Sequence, residues 1–166
     1  MLVLARALTY ATLFVSLVLV LVPARVLEWS GIHAPAALGA AQLAGLAVAT
    51  AGGALALWCV LAFAVLGRGT PAPFDPPRRL VVRGPYRFVR NPMYLGAGVA
   101  LSGAALYYQS LPLLAYVAVF ETAAHLFVVG YEEPTLARAF GEEYAAYRAR
   151  VRRWVPGRGA ARIAAG

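Results

Sequence analysis

The chain has 166 residues, enough for a single domain, and 61% of them are hydrophobic while only 13% are charged. A soluble domain carries about twice that charged fraction, so the composition predicts one integral membrane domain over residues 1–166. The net charge of +8 comes from arginines that flank apolar runs, which favours a lipid surface and argues against nucleic acid as a partner. One cysteine and two distant histidines offer neither a disulfide nor a metal-ligand set.

The apolar runs predict an all-α membrane protein with four transmembrane helices. The first span covers Ala7–Val22, and we interpret it as a retained helix because no small-residue cleavage site follows it. Residues 23–37 are expected to form a loop. The second span lies within Ala34–Gly67, which carries no charge and exceeds the roughly 20 residues that a crossing needs. Small residues at near-helical spacing suit close packing of this span against a neighbour: Gly45, Ala49, Gly52, Gly53 and Ala56.

The last two predicted spans form a short helical hairpin. A proline-rich connector over residues 67–83 leads to a third span at Tyr94–Tyr108 and a fourth at Pro112–Gly130. Pro134 then begins a C-terminal amphipathic helix. Its apolar stripe consists of Leu136, Phe140, Tyr144, Tyr147 and Val151, and its polar face of Arg138, Glu142, Arg148 and Arg152. Residues 157–166 are expected to be a loose tail.

The arginines predict the orientation. Four crossings place the N-terminus, residues 67–93 and the C-terminal region on one side, with fourteen of the fifteen arginines. The positive-inside rule makes this side cytoplasmic. We therefore expect an integral protein of a bacterial inner membrane, with both termini in the cytoplasm.

The stretch Arg83–Gly98 is where a charged loop becomes a membrane helix. Gly84-Pro85 predicts a turn, and Asn91-Pro92 predicts a helix start, because Asn is a favoured N-cap and Pro is tolerated in the first turn. Free N–H groups at a helix start attract anions, and the glycines at positions 96 and 98 let a ligand approach the backbone. The sequence thus predicts a ligand platform on the cytoplasmic side.

Two motifs resemble those of the integral-membrane methyltransferases. The first runs from Gly84 through Arg90-Asn91-Pro92-Met93-Tyr94 to Gly96, and the second is the pair Glu132-Glu133. The segment from Phe140 to Pro156 is also similar, so the resemblance covers residues 78–156. This superfamily contains isoprenylcysteine carboxyl methyltransferases and phospholipid N-methyltransferases.

The resemblance implies a helical membrane bundle that uses S-adenosylmethionine, with S-adenosylhomocysteine as the product. It carries cofactor contacts over to Arg90, Asn91, Pro92, Tyr94, Gly96, Gly98 and Glu132. We add Tyr86, whose ring suits adenine, and Leu80 and Val82 from the short extended segment before Gly84. The catalytic candidates are Arg87, Arg90 and Glu133.

Two positions depart from the family pattern. Asn91 and Arg78 stand where relatives often have histidine. Asn can form hydrogen bonds but does not titrate near neutral pH, so we expect no proton transfer by Asn91.

The methyl acceptor remains open at this point. A lipophilic carboxylate of the isoprenylcysteine type is favoured, and it would need an unpaired cation such as Arg83 or Arg87. A phospholipid amine would instead need a base, such as Glu121 or His125 in the fourth span. These two residues lie four apart on one helix face, so they are equally well explained as a mutually satisfied pair. A non-catalytic lipid-binding protein with the same fold is the other alternative.

Overall fold

The computed structural model describes residues 15–63, 65 and 79–156, together with residues 9, 12 and 13. Within these ranges the chain is helical, and its only extended pairing is an isolated parallel bridge between Val89 and Arg152. The predicted start of the first span, most of the proline-rich connector with Arg78, and the C-terminal tail lie outside the described residues.

The first helix extends further than the sequence predicts. A π-helical segment, Val15–Leu21, continues directly into α1, Val22–Trp29. The prediction of a loop from residue 23 is wrong, because Pro23 lies in the first turn of α1, where a missing N–H costs little. The connecting loop comprises residues 30–39 instead.

Helices α2, Ala40–Ala62, and α3, Pro92–Tyr107, form the main packed pair of the fold. Helix α2 lies within the predicted second span, and α3 begins at Pro92, as the sequence predicts. At the start of α2, the Gly39 N–H donates to Gln42 Oε1 at 3.1 Å, and Gln42 Nε2 donates to the Tyr107 carbonyl at 3.4 Å. The Gln42 side chain therefore ties the start of α2 to the end of α3.

Glycines allow α2 and α3 to approach closely. A Cβ at Gly52 would lie 2.6 Å from the Gly96 carbonyl oxygen, and one at Gly45 would lie 2.7 Å from that of Gly103. Real Cβ atoms do not come this near to a backbone, so a side chain at either position would force the helices apart. The predicted packing role of the small residues in α2 is confirmed, except at Gly53, where a Cβ would meet nothing within 4 Å.

Helix α4, Leu111–Phe127, follows α3 after the predicted tight turn. Ser110 caps it by accepting a hydrogen bond from the Leu113 N–H at 3.2 Å. The helix continues through a π-helical segment, Val128–Glu132, into α5, Glu133–Arg150.

The join between α4 and α5 differs from the prediction of two separate helices. Pro134 lies in the first turn of α5, as predicted, but no non-helical residue precedes it. In a regular α-helix its ring would clash with the carbonyl four residues earlier, and the wider π-helical segment relieves that clash. The backbone leaves helical geometry later, at Gly141, where φ is +48°.

Two helical stretches among the described residues are long and apolar enough to cross a bilayer, namely α2 and the stretch Leu111–Arg150, which contains the kink at Gly141. Helix α3 has 16 residues and packs along α2. At 1.5 Å per residue it spans about 24 Å, less than the hydrocarbon core. Four complete crossings remain a prediction.

The amphipathic stripe of α5 packs as the sequence predicts. Tyr144, Tyr147 and Val151 are buried, and Leu80, Leu136 and Phe140 pack against them. The predicted polar residues of the opposite face are exposed: Arg138, Glu142, Arg148 and Arg152. Helix α5 thereby fixes the loop that precedes α3.

Candidate functional site

The backbone just before α3 is held by residues that follow α5. The Arg90 N–H donates to the Arg152 carbonyl at 2.9 Å, and Asn91 Nδ2 donates to the Arg153 carbonyl at 3.3 Å. The helix begins at Pro92, as predicted, but Asn91 makes no side-chain capping bond. Its buried amide is used instead to satisfy the carbonyl of the neighbouring segment.

Glu133 lies between two arginines. Arg90 Nη2 is 2.9 Å from Glu133 Oε1, while Arg153 donates from Nε to Oε1 at 2.7 Å and from Nη2 to Oε2 at 2.9 Å. This bidentate contact is a strong form of pairing between a guanidinium and a carboxylate, and it raises the pKa of Arg153. Both oxygens of Glu133 are therefore bound by arginine side chains of the protein, and Arg90 is one of these two arginines.

Glu132 has a different partner. Its Oε2 accepts a hydrogen bond from the Tyr94 hydroxyl at 3.2 Å, which joins the first turn of α3 to the end of the π-helical segment. Successive residues of a helix point about 100° apart, so Glu132 and Glu133 face different neighbours. The structure thus divides the acidic pair into one carboxylate bound by arginines and one that faces a tyrosine.

Tyr86 belongs to a buried cluster next to the Glu132-Glu133 pair. It is buried with Cys59, Ala62 and Val81. Its carbonyl accepts a hydrogen bond from the Tyr147 hydroxyl at 2.7 Å. Burial raises the pKa of the Tyr86 phenol well above its ordinary value, so the group stays neutral.

Leu80 and Val82, also predicted to contact the cofactor, have different surroundings. Leu80 packs on the apolar cluster of α5, and Val82 is 37% exposed. In the part of the chain that the structure describes, no hydrogen bond joins either residue to Tyr94 or Glu132.

The two glycines of the predicted ligand platform face different helices. A Cβ at Gly96 would lie 2.8 Å from the Ala56 amide nitrogen in α2, whereas one at Gly98 would overlap the Glu121 carboxylate of α4. Side chains at positions i and i+2 of a helix point about 200° apart, so Gly96 and Gly98 cannot line one surface. Gly96 serves the packing of α2 and α3, and only Gly98 faces the side on which Tyr94 lies.

Glu121 and His125 do not form the satisfied pair that was one reading of the sequence. His125 Nδ1 accepts a hydrogen bond from Trp154 Nε1 at 3.1 Å, and the Glu121 carboxylate lies against Gly98. The shared helix face was predicted correctly, but no local signal indicates that the segment after α5 reaches His125.

A family model described as phospholipid methyltransferase matches residues 40–143. The chain belongs to this family. The matched residues include α2, α3, α4 and both glutamates of the Glu132-Glu133 pair. The resemblance is thus confirmed, and it extends into α2, where the sequence showed only a membrane helix. Neither a curated protein nor a solved structure matches the chain.

Membership in the family makes the protein an integral-membrane methyltransferase. Arg153 and Trp154, which contact Glu133 and His125, lie beyond the matched residues. They belong to the C-terminal segment that resembled the family, but their partners could not be inferred from spacing alone.

Arg87 is the remaining cationic candidate of the methyltransferase site. Its guanidinium carbon lies 4.6 Å from the centre of the Phe88 ring. Its Nε is buried and has no hydrogen-bond partner, as is also true of Arg90 Nε. Because Arg90 is already paired with Glu133, Arg87 is the arginine with more capacity for an anionic ligand.

Proposed function

We propose that this protein transfers a methyl group from S-adenosylmethionine to a lipophilic acceptor, at a site between α3 and the end of α4. The observation that carries the proposal is the Tyr94–Glu132 hydrogen bond of 3.2 Å. It holds a partly buried carboxylate in place without neutralising its charge. A carboxylate in this state suits a ligand that brings an ammonium group or paired hydroxyls.

The residues present fit the chemical groups of S-adenosylmethionine. Glu132 would accept hydrogen bonds from its ammonium group or its ribose hydroxyls, and Tyr94 would keep that carboxylate oriented. Arg87, with its unsatisfied Nε, would bind its carboxylate. When bound, the cofactor supplies an activated methyl group. The acceptor's lone pair bonds to the methyl carbon while the carbon–sulfur bond breaks, and the electron pair of the broken bond stays on sulfur.

The other predicted site residues would act by holding this geometry. Arg90 and Glu133 join the loop before α3 to α5, and Asn91 joins it to the segment after α5. We therefore propose that Arg90 and Glu133 are positioning residues rather than catalytic ones. The excess of arginine on this side of the bundle supports a cytoplasmic site, where a soluble cofactor is available.

The isoprenylcysteine-type carboxylate that the sequence favours as acceptor would need a cation of its own. Arg90 is engaged by Glu133, Arg87 is assigned to the cofactor, and Arg83 is exposed. The choice between a carboxylate and an amine therefore depends on the groups that line the deeper part of the α3–α4 contact.

Methyl transfer is tested with membranes that contain or lack the protein and with a methyl-labelled donor. Lipids and small acids are then extracted and analysed by mass spectrometry. The proposal predicts label in one lipophilic class only when the protein is present, and little label with the Glu132→Gln variant. Glu142→Gln, which changes an exposed carboxylate of α5, is the matched control and is expected to label normally. Equal labelling by Glu132→Gln and wild type would show that the site is misplaced.

A further inference from the structure

Glu121 places a carboxylate within the apolar part of α4, directly against α3. A Cβ built on Gly98 would overlap Glu121 Oε1. The carboxylate therefore occupies the space that a side chain at position 98 would fill. The absence of a side chain at Gly98 is what allows an ionisable group to lie at this depth beside the backbone of α3.

Among the residues that the structure describes, no hydrogen bond or ion pair reaches the Glu121 carboxylate. His125, one turn further along α4, is hydrogen-bonded to Trp154 instead. The nearest acidic residues of the same helix have their own partners, Tyr94 for Glu132 and two arginines for Glu133. An ionisable side chain within a bilayer is costly to bury, so an unpaired one is best explained by a ligand that compensates it.

The position of Glu121 relative to the proposed cofactor site follows from helix geometry. Tyr94 and Gly98 are four residues apart and share one face of α3, about 6 Å apart along the helix axis. The Tyr94–Glu132 pair lies at the first turn of α3. Glu121 precedes Glu132 by 11 residues along the helix, so its carboxylate lies deeper than that pair, about 16 Å away along the helix axis. An acceptor that enters from the bilayer would meet Glu121 before it reached a methyl donor held at Glu132.

We propose that Glu121 is the acceptor-binding residue and that it selects a lipophilic amine over a lipophilic carboxylate. This inference rests on the proposed methyl transfer at the Tyr94–Glu132 site. The carboxylate binds the protonated amine and then takes its proton. The N–H bond breaks, its electron pair stays on nitrogen as the lone pair that accepts the methyl group, and the proton moves to Glu121. The proton passes to water when the product leaves.

The same position disfavours a carboxylate acceptor. Two carboxylates in close contact in a medium of low dielectric constant repel each other strongly, so an ionised acid would not approach Glu121. A protonated acid could approach, but it carries no positive charge to compensate the Glu121 carboxylate, so it would bind more weakly than a protonated amine. The charge of one residue therefore decides which class of acceptor binds.

Binding of two matched probes tests this role without relying on methyl transfer. Wild-type protein and Glu121→Gln are placed in nanodiscs of phosphatidylcholine and titrated with dodecylamine or dodecanoic acid, with S-adenosylhomocysteine affinity measured in parallel. Wild type is expected to prefer the amine, and Glu121→Gln to lose about tenfold or more of its amine affinity while it binds S-adenosylhomocysteine normally. Glu143→Gln, at an exposed site in α5, is the matched control.

A second variant keeps the test decisive if Glu121→Gln does not fold. Gly98→Ala leaves the glutamate in the chain but displaces its carboxylate, so it is expected to weaken amine binding as well. Unchanged amine affinity in both variants, or a preference of wild type for the acid, would overturn the role of Glu121 while leaving the cofactor site intact. Failure of wild type to bind S-adenosylhomocysteine would instead overturn the proposed function, and this inference with it.

Discussion

The Tyr94 hydroxyl donates a hydrogen bond to the Glu132 carboxylate at 3.2 Å, from the first turn of α3 to the end of the π-helical segment that follows α4. The next residue along the chain, Glu133, turns away from Tyr94 and binds Arg153 and Arg90. Glu132 and Glu133 therefore make different contacts, so substitutions at the two positions should have different effects on ligand binding and on stability.

Glu133→Gln should destabilise the protein rather than affect ligand binding directly. The change removes the charge that two arginines share, and one of them, Arg90, has a side chain only 10% exposed. Losing one partner of such a contact typically costs about 1–3 kcal/mol. Thermal unfolding in detergent should show a lower midpoint for Glu133→Gln than for wild type, with Glu143→Gln unchanged as the control. A normal midpoint would mean that this cluster does not stabilise the fold.

Tyr94→Phe should weaken cofactor binding modestly and should lower the stability of the protein by a similarly small amount. The variant keeps the ring but removes the hydroxyl that orients Glu132. A hydrogen bond of this kind contributes about 1 kcal/mol, which corresponds to roughly a fivefold loss of S-adenosylhomocysteine affinity. Calorimetry on the folded variant measures this directly. An affinity equal to that of wild type would show that Glu132 needs no orienting partner.

Adjacent glycines in α2 offer a test of the α2–α3 packing. Gly52→Ala would place a Cβ 2.6 Å from the Gly96 carbonyl oxygen, whereas Gly53→Ala faces open space. We expect Gly52→Ala to destabilise the protein by about 1–3 kcal/mol, and Gly53→Ala to be neutral or to stabilise the helix by about 0.5–1 kcal/mol. Thermal melting of both variants in the same detergent compares them. Equal effects would contradict the close approach of the two helices.

The sequence predicted the helix starts well because their signals are local. Helix α3 begins at Pro92, as the Asn91-Pro92 signal predicts, and α4 begins at Leu111, next to the predicted Pro112. The apolar residues of α5 were also predictable as a cluster, because the 3.6-residue period of a helix groups them on each side of Gly141. The kink at Gly141 itself was not predicted.

The partners of the site residues could not be predicted, because they depend on contacts between distant parts of the chain. Asn91 matched a helix cap by type, yet its side chain bonds to the Arg153 carbonyl, 62 residues later. Glu133 matched a catalytic motif, but an arginine 20 residues away engages it. Gly96 and Gly98 had the same apparent role in sequence, and only the placement of α2 and α4 distinguishes them.

Gly98 and Glu121 should be energetically coupled. Gly98→Ala is expected to destabilise wild type, because the new methyl group displaces the Glu121 carboxylate. In a Glu121→Ala background the same change should cost much less, since the carboxylate is no longer there. A double-mutant cycle of unfolding midpoints should give a coupling of about 0.5–3 kcal/mol. Additive effects would show that the two residues are not in contact.

Binding of S-adenosylhomocysteine tests the central claim most directly. Calorimetry in nanodiscs would compare wild type, Glu132→Gln and the surface control Glu142→Gln over micromolar to millimolar ligand. We predict saturable binding to wild type and to Glu142→Gln, and an affinity about tenfold or more weaker for Glu132→Gln, with all three proteins folded to the same unfolding midpoint. No binding to wild type across that range, or equal binding to Glu132→Gln, would contradict the account.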